Sequence, residues 1–270
     1  MTHTEISTVD VDGQRIRVGI KHGAGCPLLV FNGIGANLEL LEPFTHALDG
    51  VETIVFDVPG VGGSGPCLSP YRLRGLARLV DRLLDRLGYQ GPVNVLGVSW
   101  GGALAQQFAR TCHRRCRRLI LVSTTPGVLM VPGSPRALAM LLDPRRYEDP
   151  QYLMKIAPRL YGGEMRKSQG FIASHGAYLM RPHWLGYLYQ QLAFWGWSSL
   201  AWLPLLRQPT LVLSGSDDPL VPLANGRILA GLIPRARLEV IDDGHLFLMS
   251  SPHRVIPMIR DFLSVRLPAV

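Results

Sequence analysis

The sequence has almost no lysine: Lys21, Lys155 and Lys167 are the only three among 28 basic residues, so the formal net charge of +8 is carried by arginine. It also has no basic stretch interleaved with aromatic residues. The densest cluster is Arg110, His113, Arg114, Arg115, Arg117 and Arg118; a second, Arg74, Arg78, Arg82 and Arg86, is interrupted by Asp81 and Asp85. Without stacking platforms neither reads as a nucleic-acid surface. Both read as solvated faces, with an anionic surface as the alternative partner.

Cysteine is scarce as well. Cys26, Cys67, Cys112 and Cys116 are scattered, and the Cys112 and Cys116 pair has no second pair to complete a zinc site. Four free thiols in a reducing compartment are expected, with no metal. No apolar run is long enough to cross a bilayer. Met1-Thr2-His3-Thr4-Glu5 has neither a basic n-region nor an apolar h-region, so no secretory signal and a cytoplasmic location are expected. Internal repeats and low-complexity linkers are absent, and nothing fixes an oligomeric state. A chain of 270 residues suffices for one large α/β domain or two small ones.

What the chain does have is a sharp turn at Ser99. Val93-Asn94-Val95-Leu96 reads as a buried strand, and the residues after Gly102 recur at helical spacing. Between them Gly97-Val98-Ser99-Trp100-Gly101 has the G-x-S-x-G pattern, in which a strand turns into a helix so tightly that the serine is strained and exposed. A β-carbon at either flanking glycine is expected to strike the other arm of the elbow. Gly102 leaves room for the helix against the sheet. The helix N-terminus behind Ser99 favours developing negative charge.

The rest of the chain supplies a rhythm around this turn. Ile6 to Val11 and Gln14 to Ile20 alternate and are joined by Asp12-Gly13, a two-residue hairpin signal. Pro27 to Phe31, Thr53 to Phe56, the elbow strand, Leu119 to Val122, Thr210 to Ser214 and Arg237 to Ile241 read as further strands. Glycine-rich loops follow two of them, at Asn32 to Asn37 and at Asp57 to Ser64. Helices are expected at about Leu73 to Leu87 and Arg254 to Val265. This alternation implies a mostly parallel sheet with helices on both faces. From Pro126 to Leu206 the alternation stops and aromatic residues gather, Phe171 among them, together with four of the five tryptophans. A helical lid inserted after the sixth strand is expected, giving core residues 1–125, lid 126–206 and core 207–270. Most of its aromatics pack the insert down; some are expected to line an apolar channel over Ser99.

A serine hydroxyl needs a base, and the base an orienting acid. Ser99, an aspartate at 217 or 218, and His245 each follow a strand, so a parallel sheet brings them to one edge. This is the order of an α/β-hydrolase. The other histidines compete poorly as the base: His3, His22 and His46 precede the elbow, His113 sits in the arginine cluster, His175 and His183 lie in the insert, and His253 opens the last helix. Asp217 and Asp218 point in different directions, and spacing alone does not choose between them. Asp242 and Asp243 lie too close to His245 along the chain and suit the turn. The backbone N–H groups of Ile34 and Trp100 are the natural oxyanion hole.

Four segments together resemble a particular family. Phe31-Asn32-Gly33-Ile34-Gly35-Ala36-Asn37, Phe56-Asp57-Val58-Pro59-Gly60, the elbow with its following Trp100, and Ile241-Asp242-Asp243-Gly244-His245-Leu246 are similar to the intracellular medium-chain-length poly(3-hydroxyalkanoate) depolymerases of bacteria. The resemblance spans nearly the whole chain and weakens between Ser168 and Met180. It implies an α/β-hydrolase fold and hydrolysis of a stored polyester of 3-hydroxy acids at a granule surface, without cofactor or metal. It also implies Asp218 as the acid, three residues after Gly215. A small-ester esterase, a thioesterase, a 3-hydroxyacyl transferase and a non-catalytic binding protein are the other readings of the same residues.

Overall fold

The chain enters its sheet through a hairpin. In the computed structural model, which describes residues 3–67, 69–167, 170, 172–173, 176 and 178–264, β1 (Thr4–Val11) pairs antiparallel with β2 (Gln14–Lys21). Asp12 and Gly13 close the turn with φ of 54° and 83°, the left-handed pair that matches strand twist in a two-residue loop. Phe171, His175 and Val265, named above, lie outside the described residues.

β2 then pairs antiparallel with β4 (Val51–Phe56), and every later pairing is parallel. With β3 (Ala24–Phe31), β5 (Val93–Val98), β6 (Cys116–Val122), β7 (Thr210–Gly215) and β8 (Ala236–Ile241), the sheet order is β1-β2-β4-β3-β5-β6-β7-β8. β5 and β7 are buried along their whole length, which is why they read as buried strands.

Period-two alternation sorts each central strand between two cores. Leu29, Phe31, Val95, Leu119 and Leu121 face one apolar cluster, shared with α2 (Leu73–Arg86) and α3 (Trp100–Thr111). Leu28, Val30, Leu96, Ile120 and Val122 face the other, shared with α1 (Glu42–Ala47). Each such side chain contributes about 1.5–3 kcal/mol by leaving water. Covering both faces of the central strands in this way leaves their ends as the route to them among the described residues.

Between β6 and β7 the chain forms α4 (Pro135–Leu142), a 3-10 turn at Pro144–Tyr147, α5 (Pro150–Tyr161) and α6 (Trp184–Phe194). Asp149 caps α5 by accepting from the Gln151 and Tyr152 N–H groups at 2.9 and 3.0 Å. Gly127 and Ser198 pair in an antiparallel bridge, and Ser199 N–H donates to Pro126 O at 2.8 Å, so this segment leaves and re-enters the core at one neck. After β7 come α7 (Leu223–Leu232) and β8. The last helix divides, into a single turn α8 (Phe247–Ser250) and α9 (Pro252–Ser264), starting two residues earlier than its periodicity suggests. No helix among the described residues is long and apolar enough to cross a membrane.

Candidate active site

Ser99 joins β5 to α3 with φ 54° and ψ −118°, a left-handed conformation that costs a non-glycine residue about 1–3 kcal/mol. Surrounding bonds hold it there. Its N–H donates to Val122 O at 2.9 Å, and its carbonyl accepts from Gly102 N–H at 2.9 Å and from the Thr124 hydroxyl at 2.6 Å. The flanking glycines are required for different reasons. A β-carbon on Gly97 would lie 2.4 Å from Gly101 O, within the elbow as expected. One on Gly101 would lie 2.3 Å from Phe31 O, so its constraint comes from the end of β3 and not from the elbow's other arm. Gly102 makes room for Thr124, the second residue past β6.

The two candidate acids separate cleanly. Asp218 Oδ2 lies 2.7 Å from His245 Nδ1, and its Oδ1 accepts from the Leu220 and Val221 N–H groups, both at 2.9 Å. Asp217 points away: it accepts from Gly163 N–H at 2.8 Å and pairs with Arg166 at 2.6 Å. Asp243 serves the turn, accepting from Glu164 N–H, Gly244 N–H and the hydroxyls of Ser250 and Ser251 at 2.6–2.8 Å. Burial opposes its charge, but these four donors outweigh it and hold its pKa below the ordinary carboxylate value. Asp242 Oδ1 accepts from the Ser216 hydroxyl at 3.2 Å.

His245 is 4% exposed and fixed on three sides. Its N–H donates to Tyr161 O at 2.7 Å, its carbonyl accepts from the Ser123 hydroxyl at 3.1 Å, and its ring stacks on Tyr161 at 6.5 Å. With Nδ1–H given to the Asp218 carboxylate, the tautomer leaves Nε2 as an acceptor. His183, a competitor by sequence, instead caps α6 by accepting from Leu185 N–H at 3.3 Å.

The loop after β3 runs beside the serine. A β-carbon on Gly33 would lie 3.9 Å from Ser99 Cβ. Asn32 staples the loop at both ends, accepting from Gly33 N–H and donating to Asn37 O, both at 2.8 Å. Ile34 lies between these ties, and Trp100 N–H belongs to the first turn of α3, whose donors have no partner within the helix. Gln190 of α6 ties loop and elbow together. Its side chain accepts from Gly35 N–H at 2.8 Å, and its carbonyl accepts from the Trp100 indole at 2.8 Å. Gly35, at φ 68°, has no room for a β-carbon, which would lie 2.3 Å from the Tyr147 hydroxyl.

Ser99 and His245 line one cavity of about 70 Å³, together with Gly33, Ile34 and Val98 from the core. Leu141, Arg146, Tyr161 and Leu179 of the inserted segment roof it. Of the aromatic residues expected over the serine, Tyr161 is the one that borders this cavity among the described residues. Gln190 and Arg146 were not anticipated. The signal for Gln190 was a polar side chain in an apolar, aromatic stretch; Arg146 stands among charged residues in sequence and gave none. A larger cavity of about 850 Å³ lies at the opposite strand ends, where Pro92, Cys116, Pro209 and Arg235 border it, and holds none of these groups. No cluster of three or more His, Cys, Asp and Glu side chains that could hold a metal occurs among the described residues.

Residues 22–258 match the model of the alpha/beta hydrolase family. The chain belongs to that family. Among curated hydrolases of known name, the poly(3-hydroxyalkanoate) depolymerase of Ectopseudomonas oleovorans is 52% identical over 95% of this chain and 91% of its own length. At that identity and coverage the two alpha/beta hydrolases are members of one family. Among solved structures, a thermophilic esterase from Thermogutta terrifontis superposes with a TM-score of 0.78 at 28% identity, over 97% of this chain and 98% of the other. The enol-lactonase of Burkholderia xenovorans LB400 gives a TM-score of 0.81 at 24% identity, covering 96% of this chain and 100% of its own, a likeness of fold. The eight-stranded, mostly parallel sheet found here is thus an alpha/beta hydrolase sheet.

Proposed function

We propose that this alpha/beta hydrolase cleaves ester bonds of medium-chain-length poly(3-hydroxyalkanoate), with Ser99 as nucleophile, His245 as general base and Asp218 as the acid that orients it. The observation that carries the reading is the buried 2.7 Å Asp218–His245 pair bordering the same cavity as the strained Ser99. The 52% identical depolymerase supplies the substrate class.

His245 Nε2 takes the Ser99 proton as Oγ attacks the ester carbonyl. The oxyanion that forms is stabilised by the Ile34 and Trp100 N–H groups, each worth about 3 kcal/mol of barrier. The imidazolium then gives its proton to the departing alkoxide, leaving an acyl-serine and a free hydroxyl. Water, activated by the same imidazole, releases the acid and restores Ser99. Residues 126–206 act as the lid, supported by Leu141, Tyr161 and Leu179 over the cavity. Such a substrate is met in the cytoplasm at a granule surface.

The test is Ser99→Ala against an emulsion of medium-chain polymer. Wild-type protein should clear it and the variant should lose at least about 10⁴-fold in rate, with circular dichroism unchanged. Undiminished clearing by the variant refutes the nucleophile. A wild type that turns over nitrophenyl esters but not polymer moves the substrate to small esters.

A further inference from the structure

The cavity at Ser99 has an arginine in its wall. Arg146 is 4% exposed and lines the same 70 Å³ space as Ser99 and His245. Its neighbour shows what an arginine there ordinarily does: Arg145 points to the surface and pairs with Asp143 at 2.7 Å. Arg146 points inward from the same 3-10 turn, and no acidic side chain among the described residues forms an ion pair with it. It donates to the Tyr147 hydroxyl, its guanidinium lies 4.0 Å over the Tyr147 ring, and its Nε has no hydrogen-bond partner.

A guanidinium stays charged at any working pH. Burying that charge without a counter-ion is costly, so the site has a standing preference for an anion. A planar fork with an unused N–H is shaped for a carboxylate. On the reading that the enzyme hydrolyses polyhydroxyalkanoate, the substrate is neutral along its length and has one anion, the carboxylate at its end.

We propose that Arg146 binds the free terminal carboxylate of a 3-hydroxyalkanoate chain and so places the last ester bond at Ser99. Arg146 and Ser99 border the same small cavity, so a carboxylate bound by one lies close to the other. The terminal unit is then the leaving group. Ser99 Oγ bonds to the carbonyl carbon of the preceding unit, and the bond from that carbon to the terminal unit's ester oxygen breaks. His245 protonates that oxygen, and the terminal unit departs as a free 3-hydroxy acid. Water then cleaves the acyl-serine, which exposes a new terminal carboxylate on the shortened chain. Oligomers thus shorten from the carboxyl end, one unit per cycle.

The experiment compares kcat/KM for cleavage of the internal ester in a dimer of 3-hydroxyoctanoic acid as the free acid and as its methyl ester, which removes the charge and adds one methyl group. Wild-type protein should prefer the acid by about thirtyfold or more, the scale of a desolvated charge pair. In Arg146→Met the ratio should fall to about one, whatever happens to the absolute rates, and Arg146→Lys should retain part of it. A structural role for Arg146 in holding Tyr147 would lower both substrates together and leave the ratio intact. A wild-type ratio near one overturns the proposal without any variant, while the esterase reading survives because the methyl ester is cleaved. If wild-type protein cleaves neither dimer nor a nitrophenyl ester, the esterase reading itself has failed, and this assignment with it.

Discussion

Replacing Asp218 by asparagine tests the site most directly, because the structure fixes how the new amide must sit. Oδ1 of Asp218 accepts two backbone N–H groups, from Leu220 and Val221, at 2.9 Å each. An amide nitrogen at that position would face two donors, so the carbonyl oxygen of the asparagine takes it. The NH₂ group is then directed at His245 Nδ1, 2.7 Å from the former Oδ2. Nδ1 must now accept, which puts the ring proton on Nε2, the atom that takes the Ser99 proton in the proposed mechanism. The wrong tautomer in an intact site costs about 10⁴ in kcat, the magnitude known for this substitution in serine proteases. That is about 5 kcal/mol of barrier. Folding loses much less, about 1–2 kcal/mol, because a neutral hydrogen bond replaces a charged one. The assay is steady-state hydrolysis of nitrophenyl octanoate alongside a thermal melt, with Asp217→Asn as the control. Asp217 touches Gly163 and Arg166 and not the imidazole, so its loss in kcat should be a few-fold. If Asp218→Asn keeps more than about a tenth of kcat, or Asp217→Asn matches its loss, the assignment of the acid is wrong.

Gly97→Ala should destabilise the fold by about 3 kcal/mol or more, since its β-carbon would sit 2.4 Å from Gly101 O and 2.7 Å from Ala105 Cβ. Its urea midpoint measures this, and a shift under about 1 kcal/mol would contradict the close packing of the elbow. Asp243 is held below its ordinary pKa of 3.8, so the unfolded chain binds its proton first as pH falls. The stability it contributes is therefore complete above that value and is lost as pH drops through the lower folded one. Asp243→Asn should cost about 2–3 kcal/mol at pH 7 and flatten the acid limb below pH 4. An unchanged acid limb in urea titrations at pH 7 and pH 3 would show that Asp243 does not carry that dependence.

The strands and the elbow were legible because their causes are local. β5 and β7 are buried throughout, so their sequences are mostly apolar and carry no charge, and Asp12-Gly13 takes the one turn that its residues favour. Ser99 and His245 could be placed at one edge because parallel strands leave no other arrangement. The choice between Asp217 and Asp218 was not local. It depends on which carboxylate is captured by Leu220 and Val221 and which by Gly163 and Arg166 of the insert, contacts between segments far apart in sequence. The roof was least legible for the same reason. Its aromatics suggested a lining, yet beside Tyr161 the roof is made by Leu141, Arg146 and Leu179, because the packing of short helices decides which side chain turns inward.

Two features of that roof pull against each other. Gln190, fully buried in α6, bonds at once to Gly35 of the loop beside Ser99 and to the Trp100 indole. Asn37 of the same loop bonds to the backbone of Tyr178 and Met180. The inserted segment thus braces the backbone donors at Ile34 and Trp100 in the conformation described. The space this leaves, about 70 Å³, holds two or three water molecules. Pockets that accept drug-sized ligands run to about 300–1,000 Å³, and a medium-chain hydroxyacyl ester is of that size. Substrate entry therefore requires Leu141, Tyr161 or Leu179 to move while the Gln190 bonds stay in place. Those bonds tie α6 to the site, and the Tyr187 hydroxyl of α6 donates to Leu141 O at 3.1 Å, so α6, the end of α4 and Arg146 hold together, and what yields is the side chains of Leu141, Tyr161 and Leu179.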